Sequence, residues 1–139
     1  MSERISPHAA LIYVMVITAA ADRRMSDREL KTIGTLVQTL PVFTDFNPEK
    51  LVQISEDCAK ILGTSDGLDK ILDRVRASLP EALRETAYAL AVEVVAADGR
   101  ASQEELELLE IIRDHLPIQR LAAAAIERGA HARYARLDS

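Results

Sequence analysis

Two stretches of the chain are apolar almost without interruption. Residues 9–21 read AALIYVMVITAAA, and residues 87–97 read AYALAVEVVAA, with Glu93 as the only charge. A helix that is apolar on every side belongs at the centre of a core, so these two segments are expected to form its middle. Elsewhere the apolar positions recur at helical spacing and leave the opposite face polar. Leu30, Ile33, Leu36, Val37 and Leu40 form one such set; Leu68, Ile71, Leu72, Val75 and Leu79 form a second; Leu106, Leu109, Ile112 and Leu116 form a third.

Boundary signals agree with that periodicity. Ser6-Pro7 and Asn47-Pro48 both read as a cap followed by proline at the first helical position. Ser26 and Ser102 open the second and sixth helices, Gly63 is a natural stop for the third, and Thr64-Ser65-Asp66-Gly67 is turn chemistry. Pro41, Pro80 and Pro117 punctuate the rest. Residues 41–47 (PVFTDFN) are expected to be a loop, and residues 118–129 a seventh, alanine-rich helix before a polar tail. With no alternating apolar/polar run, the expectation is an all-α fold of about seven helices in one domain spanning residues 1–139.

Composition narrows the function classes. Aromatic residues make up only 4% and Trp is absent, so the core is expected to be aliphatic. A net charge of −5 repels phosphate backbones, and no basic run is interleaved with aromatics, which argues against nucleic acid. Cys58 is the only cysteine; no internal disulfide can form within the chain, and a cytoplasmic location is expected. Residues 9–21 also have the look of a secretory signal, following Arg4 and ending in small residues. Glu3 weakens its positive start, however, and residues 87–97 repeat it deep inside the chain, so a retained core helix is the preferred reading. Thirteen apolar residues are too few to cross a bilayer, which takes about 20. No membrane span is expected.

Sliding the chain on itself by 76 positions places Ala20, Ala21, Asp22, Arg24, Ser26, Glu29 and Leu30 on Ala96, Ala97, Asp98, Arg100, Ser102, Glu105 and Leu106. The match resumes at Leu40-Pro41 on Leu116-Pro117, which suggests an internal repeat with copies at about 7–41 and 80–117. The pattern A-A-D-x-R-x-S-x-x-E-L, twice in an all-helical chain of this length, resembles the TerB-like family of tellurite-resistance proteins. The second copy carries the A-D-G-x-x-S-x-x-E signature from Ala97 to Glu105, whereas the first has Arg23 in place of the glycine. The resemblance implies a small cytoplasmic bacterial domain tied to tellurite resistance and wider stress responses. It also implies partners among other stress-response or tellurite-resistance proteins, acidic residues that bind metal, and no established reaction.

Ser26 with Glu29, and Ser102 with Glu105, are S-x-x-E capping boxes, in which the serine oxygen takes a helix N–H and the glutamate reaches back to the cap. Asp22 and Asp98 each close an apolar helix at its partially negative end, a placement disfavoured by about 0.3–1 kcal/mol. An Asx turn, the next helix's N-terminus or pairing with Arg24 and Arg100 would account for them. So would a ligand role: if the fold brings the two copies close, Asp22, Glu29, Asp98 and Glu105 could supply oxygens to a divalent metal ion. A calcium EF-hand loop is excluded, because the twelfth position from each aspartate is Ile33 or Leu109 where a glutamate is needed. His8, His115 and His131 lie in unrelated contexts, and acidic neighbours are expected to raise the Cys58 pKa. With no nucleophile, base and orienter set and no phosphate loop, an enzyme is not expected. The alternative to a metal-responsive module is a ligand-free acidic interaction or adaptor domain, possible as a homodimer through its apolar faces.

Overall fold

Ser6 and Pro7 start the first helix as their chemistry dictates: the Ser6 Oγ accepts the Ala9 N–H at 3.0 Å, and proline occupies the first helical position. In the computed structural model, which describes residues 4–21 and 26–137, α1 spans Pro7–Ala19 and α2 spans Asp27–Thr39. They are followed by α3 (Leu51–Leu62), α4 (Gly67–Ser78), α5 (Arg84–Ala97), α6 (Gln103–His115) and α7 (Arg120–Arg133). Every regular element among the described residues is helical, so the fold is all-α.

α1 and α5 pack against each other at the centre. α3 and α4 cover α1, α2 and α7 lie mainly on α5, and α6 rests on α5 while reaching α1 and α4. Residues 9–19 of α1 are all buried, including Thr18, whose hydroxyl donates to the Val14 carbonyl at 2.7 Å and so needs no water. α5 buries Ala87, Tyr88, Leu90, Ala91, Val92, Val94 and Val95. Glu93, the one charge within residues 87–97, accepts a 2.8 Å hydrogen bond from the Tyr134 hydroxyl and pairs with Arg133, tying α5 to the end of α7. No helix among the described residues is long and apolar enough to cross a membrane.

Three local features depart from the sequence expectation. Residues 41–47 are not an open loop: Pro41–Phe43 forms a 3₁₀ turn that buries Phe43, and His8 stacks on that ring with centroids 5.5 Å apart. The His8 Nε2 lies 2.8 Å from the Val42 carbonyl oxygen, so this histidine pins the segment to the start of α1. The last helix starts and ends later than expected, at Arg120–Arg133. Gly63 does end α3, but in a right-handed conformation; the left-handed residue of that turn is Asp66, at φ 56°. Gly67 follows because a Cβ there would lie 2.3 Å from the Ile61 carbonyl oxygen.

Candidate functional site

Both capping boxes form, and with nearly the same geometry. The Ser26 Oγ accepts the Glu29 N–H at 3.1 Å while the Glu29 Oε1 accepts the Ser26 N–H at 3.0 Å. The Ser102 Oγ accepts the Glu105 N–H at 3.1 Å while the Glu105 Oε1 accepts the Ser102 N–H at 2.9 Å. α2 and α6 therefore begin alike, each with two of its orphan N–H groups satisfied by its own side chains.

Their second oxygens carry the chemistry. Glu29 and Glu105 are each only 1% exposed, and the Oε2 of each is buried without a hydrogen-bond partner. The Glu29 carboxyl is near enough to Glu105 to act on its charge. Two ionised carboxylates in such a place would be desolvated and mutually repelled, so the pair demands a proton or a cation between them. Burial accordingly pushes the Glu105 pKa up to about 7. The hydrogen bonds from Ser102 oppose this, and the facing Glu29 carboxyl adds to it. A proton held near neutrality is a proton that a divalent cation can displace.

Of the four residues expected to act together, Glu29 and Glu105 do meet. Asp98 caps the end of α5 with its backbone and is half-buried, ahead of Gly99 at φ +78°, a left-handed turn that favours glycine. Asp22 lies outside the described residues, as does Arg24. Among the described residues no group of three or more histidine, cysteine, aspartate or glutamate side chains is gathered as a metal site, so Asp98 does not join the glutamate pair. Cys58 is fully buried, with its Sγ 3.9 Å from the Tyr13 carbonyl oxygen. Its pKa is raised as expected, but by burial rather than by acidic neighbours.

The meeting of the two glutamates left a trace in the sequence. Glu29, Ile33 and Val37 follow each other at four-residue steps, and Glu105, Leu109 and Ile112 at steps of four and three, so each glutamate lies on the apolar face of its own helix. A solvent-facing cap has no reason to sit there. Capping and ligating need not compete for one atom, because Oε1 caps and Oε2 is spare.

Comparison with known proteins gives one match. The family model described as tellurite resistance protein TerB matches residues 8–128, most of the chain. No curated protein and no solved structure matches it.

Proposed function

We propose, from the premise that this chain belongs to the TerB family, that it is a non-catalytic module that holds a divalent cation between Glu29 and Glu105 and works with partner proteins of a tellurite-linked stress response. One observation carries this reading: Glu29 and Glu105, from helices far apart in sequence, each bury a carboxylate oxygen that has no hydrogen-bond partner, and the Glu29 carboxyl is near enough to raise the Glu105 pKa. Hard cations take carboxylate oxygens, and magnesium in particular is commonly held by one or two carboxylates and several waters. Water would complete the set, with Asp22 as the further carboxylate candidate. Bound there, the ion would supply the positive charge that the pair lacks, while both capping boxes keep their hydrogen bonds. The buried, protonated Cys58 supports a non-catalytic role, and a lone thiol suits a cytoplasmic setting.

Thermal melts and calorimetry with calcium, magnesium, manganese and zinc test this. A cation that binds only the folded state, at about one hundred times its dissociation constant, stabilises it by about 2.7 kcal/mol. Glu105→Gln is the informative variant, since glutamine can still cap Ser102 and its amide can donate to Glu29. It should fold at least as well as the parent without metal and lose the cation's effect. Unchanged melts and flat calorimetry with all four ions, or undiminished binding by Glu105→Gln, would overturn the reading.

A further inference from the structure

A cleft of about 500 Å³ opens between α6 and α7, over the outer face of α5. That volume lies within the range of small-molecule sites, roughly 300–1,000 Å³. Neither Glu29 nor Glu105 lines it. Val92, Val95, Leu106, Leu109 and Ala130 make the walls aliphatic. Its polar end is built from three helices: the Tyr88 hydroxyl of α5 donates to the Glu127 Oε2 of α7 at 2.5 Å, and Arg113 of α6 donates to the same oxygen at 3.1 Å. Tyr88 is fully buried, so its hydroxyl is aimed at this group and not at bulk water. A smaller concavity of about 290 Å³ shares Glu110, Arg113 and Glu127 with it.

Packing alone does not require these polar groups. Seventy-six positions earlier stand Ile12, Val37 and Leu51; of these Leu51 lines a groove between α2 and α3, together with Val16, Leu30, Ile33, Val52, Ser55 and Glu56. Val16, Leu30 and Ile33 stand at the same offset from Val92, Leu106 and Leu109. One scaffold thus tolerates an apolar set, and a half-buried ion pair contributes little to stability by comparison with well-packed apolar side chains. The polar set in the second cleft calls for another purpose.

We infer that this cleft binds an amphipathic organic amine. Its charges decide the sign of the ligand. Arg113 is already paired with Glu127, leaving the Glu110 carboxylate, which joins no ion pair among the described residues, as the uncompensated charge. A carboxylate ligand would meet Glu110 and Glu127 and would have to displace Glu127 from Arg113. An ammonium group finds the unpaired Glu110 carboxylate and leaves the Arg113–Glu127 pair intact, and its hydrocarbon body finds the aliphatic walls. The chain's net charge of −5 draws cations toward it as well.

The probes are n-alkylamines of four to eight carbons, compared with carboxylates and alcohols of equal length, titrated into the full chain and followed by calorimetry and amide chemical-shift mapping. Amine affinity should rise about fourfold per methylene, with shifts centred on Val92, Leu106 and Ala130. Glu110→Gln, at an exposed position, should weaken amines about tenfold and leave alcohols unchanged. Leu106→Gln should weaken the longest amines, and Leu30→Gln, in the other groove, should not. Carboxylates binding as tightly as amines, Leu30→Gln weakening binding as much as Leu106→Gln, or no saturable binding would overturn the assignment. None of these outcomes bears on the Glu29–Glu105 pair.

Discussion

The groove beside α1 and the cleft over α5 share three aliphatic positions at the same sequence offset, yet the first has only Ser55 and Glu56 as polar lining while the second ends in a tyrosine, a glutamate and an arginine that bond to one another. Where the two regions agree, they reveal what the fold needs. Val16 and Val92, Leu30 and Leu106, Ile33 and Leu109 keep the helices apart at a fixed distance. Where they differ, at Ile12 and Tyr88, Val37 and Arg113, Leu51 and Glu127, the difference is what packing leaves free. The two segments are most alike at the α2 and α6 caps, and there Glu29 acts on the charge of Glu105.

The comparison breaks if the two floors prove energetically equal. Ile12 is fully buried, so Ile12→Ala should destabilise the fold by about 2–5 kcal/mol in urea denaturation. Tyr88→Phe keeps the ring and loses one hydrogen bond, so it should cost only about 0.5–1.5 kcal/mol. A Tyr88→Phe loss as large as that of Ile12→Ala would mean that the polar end is structural.

A smaller effect concerns the point where the halves meet. In the metal-free protein the Glu105 carboxyl holds its proton up to about pH 7, against an ordinary value of 4.5. The folded state thus binds the proton more tightly than the unfolded one. This contribution to stability is complete below about pH 4.5, falls as pH rises, and is gone above about pH 7. Its size is on the order of 1–3 kcal/mol. The difference in stability between the parent and Glu105→Gln, measured by urea denaturation from pH 5 to pH 8 with chelator present, should trace that window. A flat difference would remove the close carboxyl contact.

The smallest effect sharpens the likeness. Ser26→Ala and Ser102→Ala should each cost about 0.5–2 kcal/mol, and by similar amounts. Because each serine orients one member of the glutamate pair, the double variant should depart from the sum by more than about 0.5 kcal/mol. Strict additivity in that cycle would show two independent caps.

The helices were legible because their signals are local. Ser6-Pro7, Ser26 and Ser102 start helices where capping chemistry says they should, and the two apolar runs could be placed only at the centre. The ordering of residues 41–47 was not legible because Phe43 and, in part, Phe46 are covered by His8, 35 and 38 positions away, and no local pattern announces that contact. Half of the candidate site was legible in the same way. The capping role of Glu29 and Glu105 follows from four residues of sequence, whereas their meeting depends on how α2 and α6 are set against α1 and α5. The Tyr88, Arg113 and Glu127 cluster left no motif at all, since its members are separated by 14 to 39 positions and come from three helices.

The burial of α1 on every side has a kinetic meaning. Apart from the adjacent α2, its neighbours α3, α4 and α5 are all separated from it by other helices, so most of its side chains find native company only through distant parts of the chain. Peeling away any one covering helix uncovers apolar surface that α1 cannot re-bury alone. The chain consequently has no cheap partial opening through its middle. Exchange of the α1 amides with solvent requires the whole cooperative unit to unfold, and a protease that reaches this segment does so only in molecules that have already lost the fold.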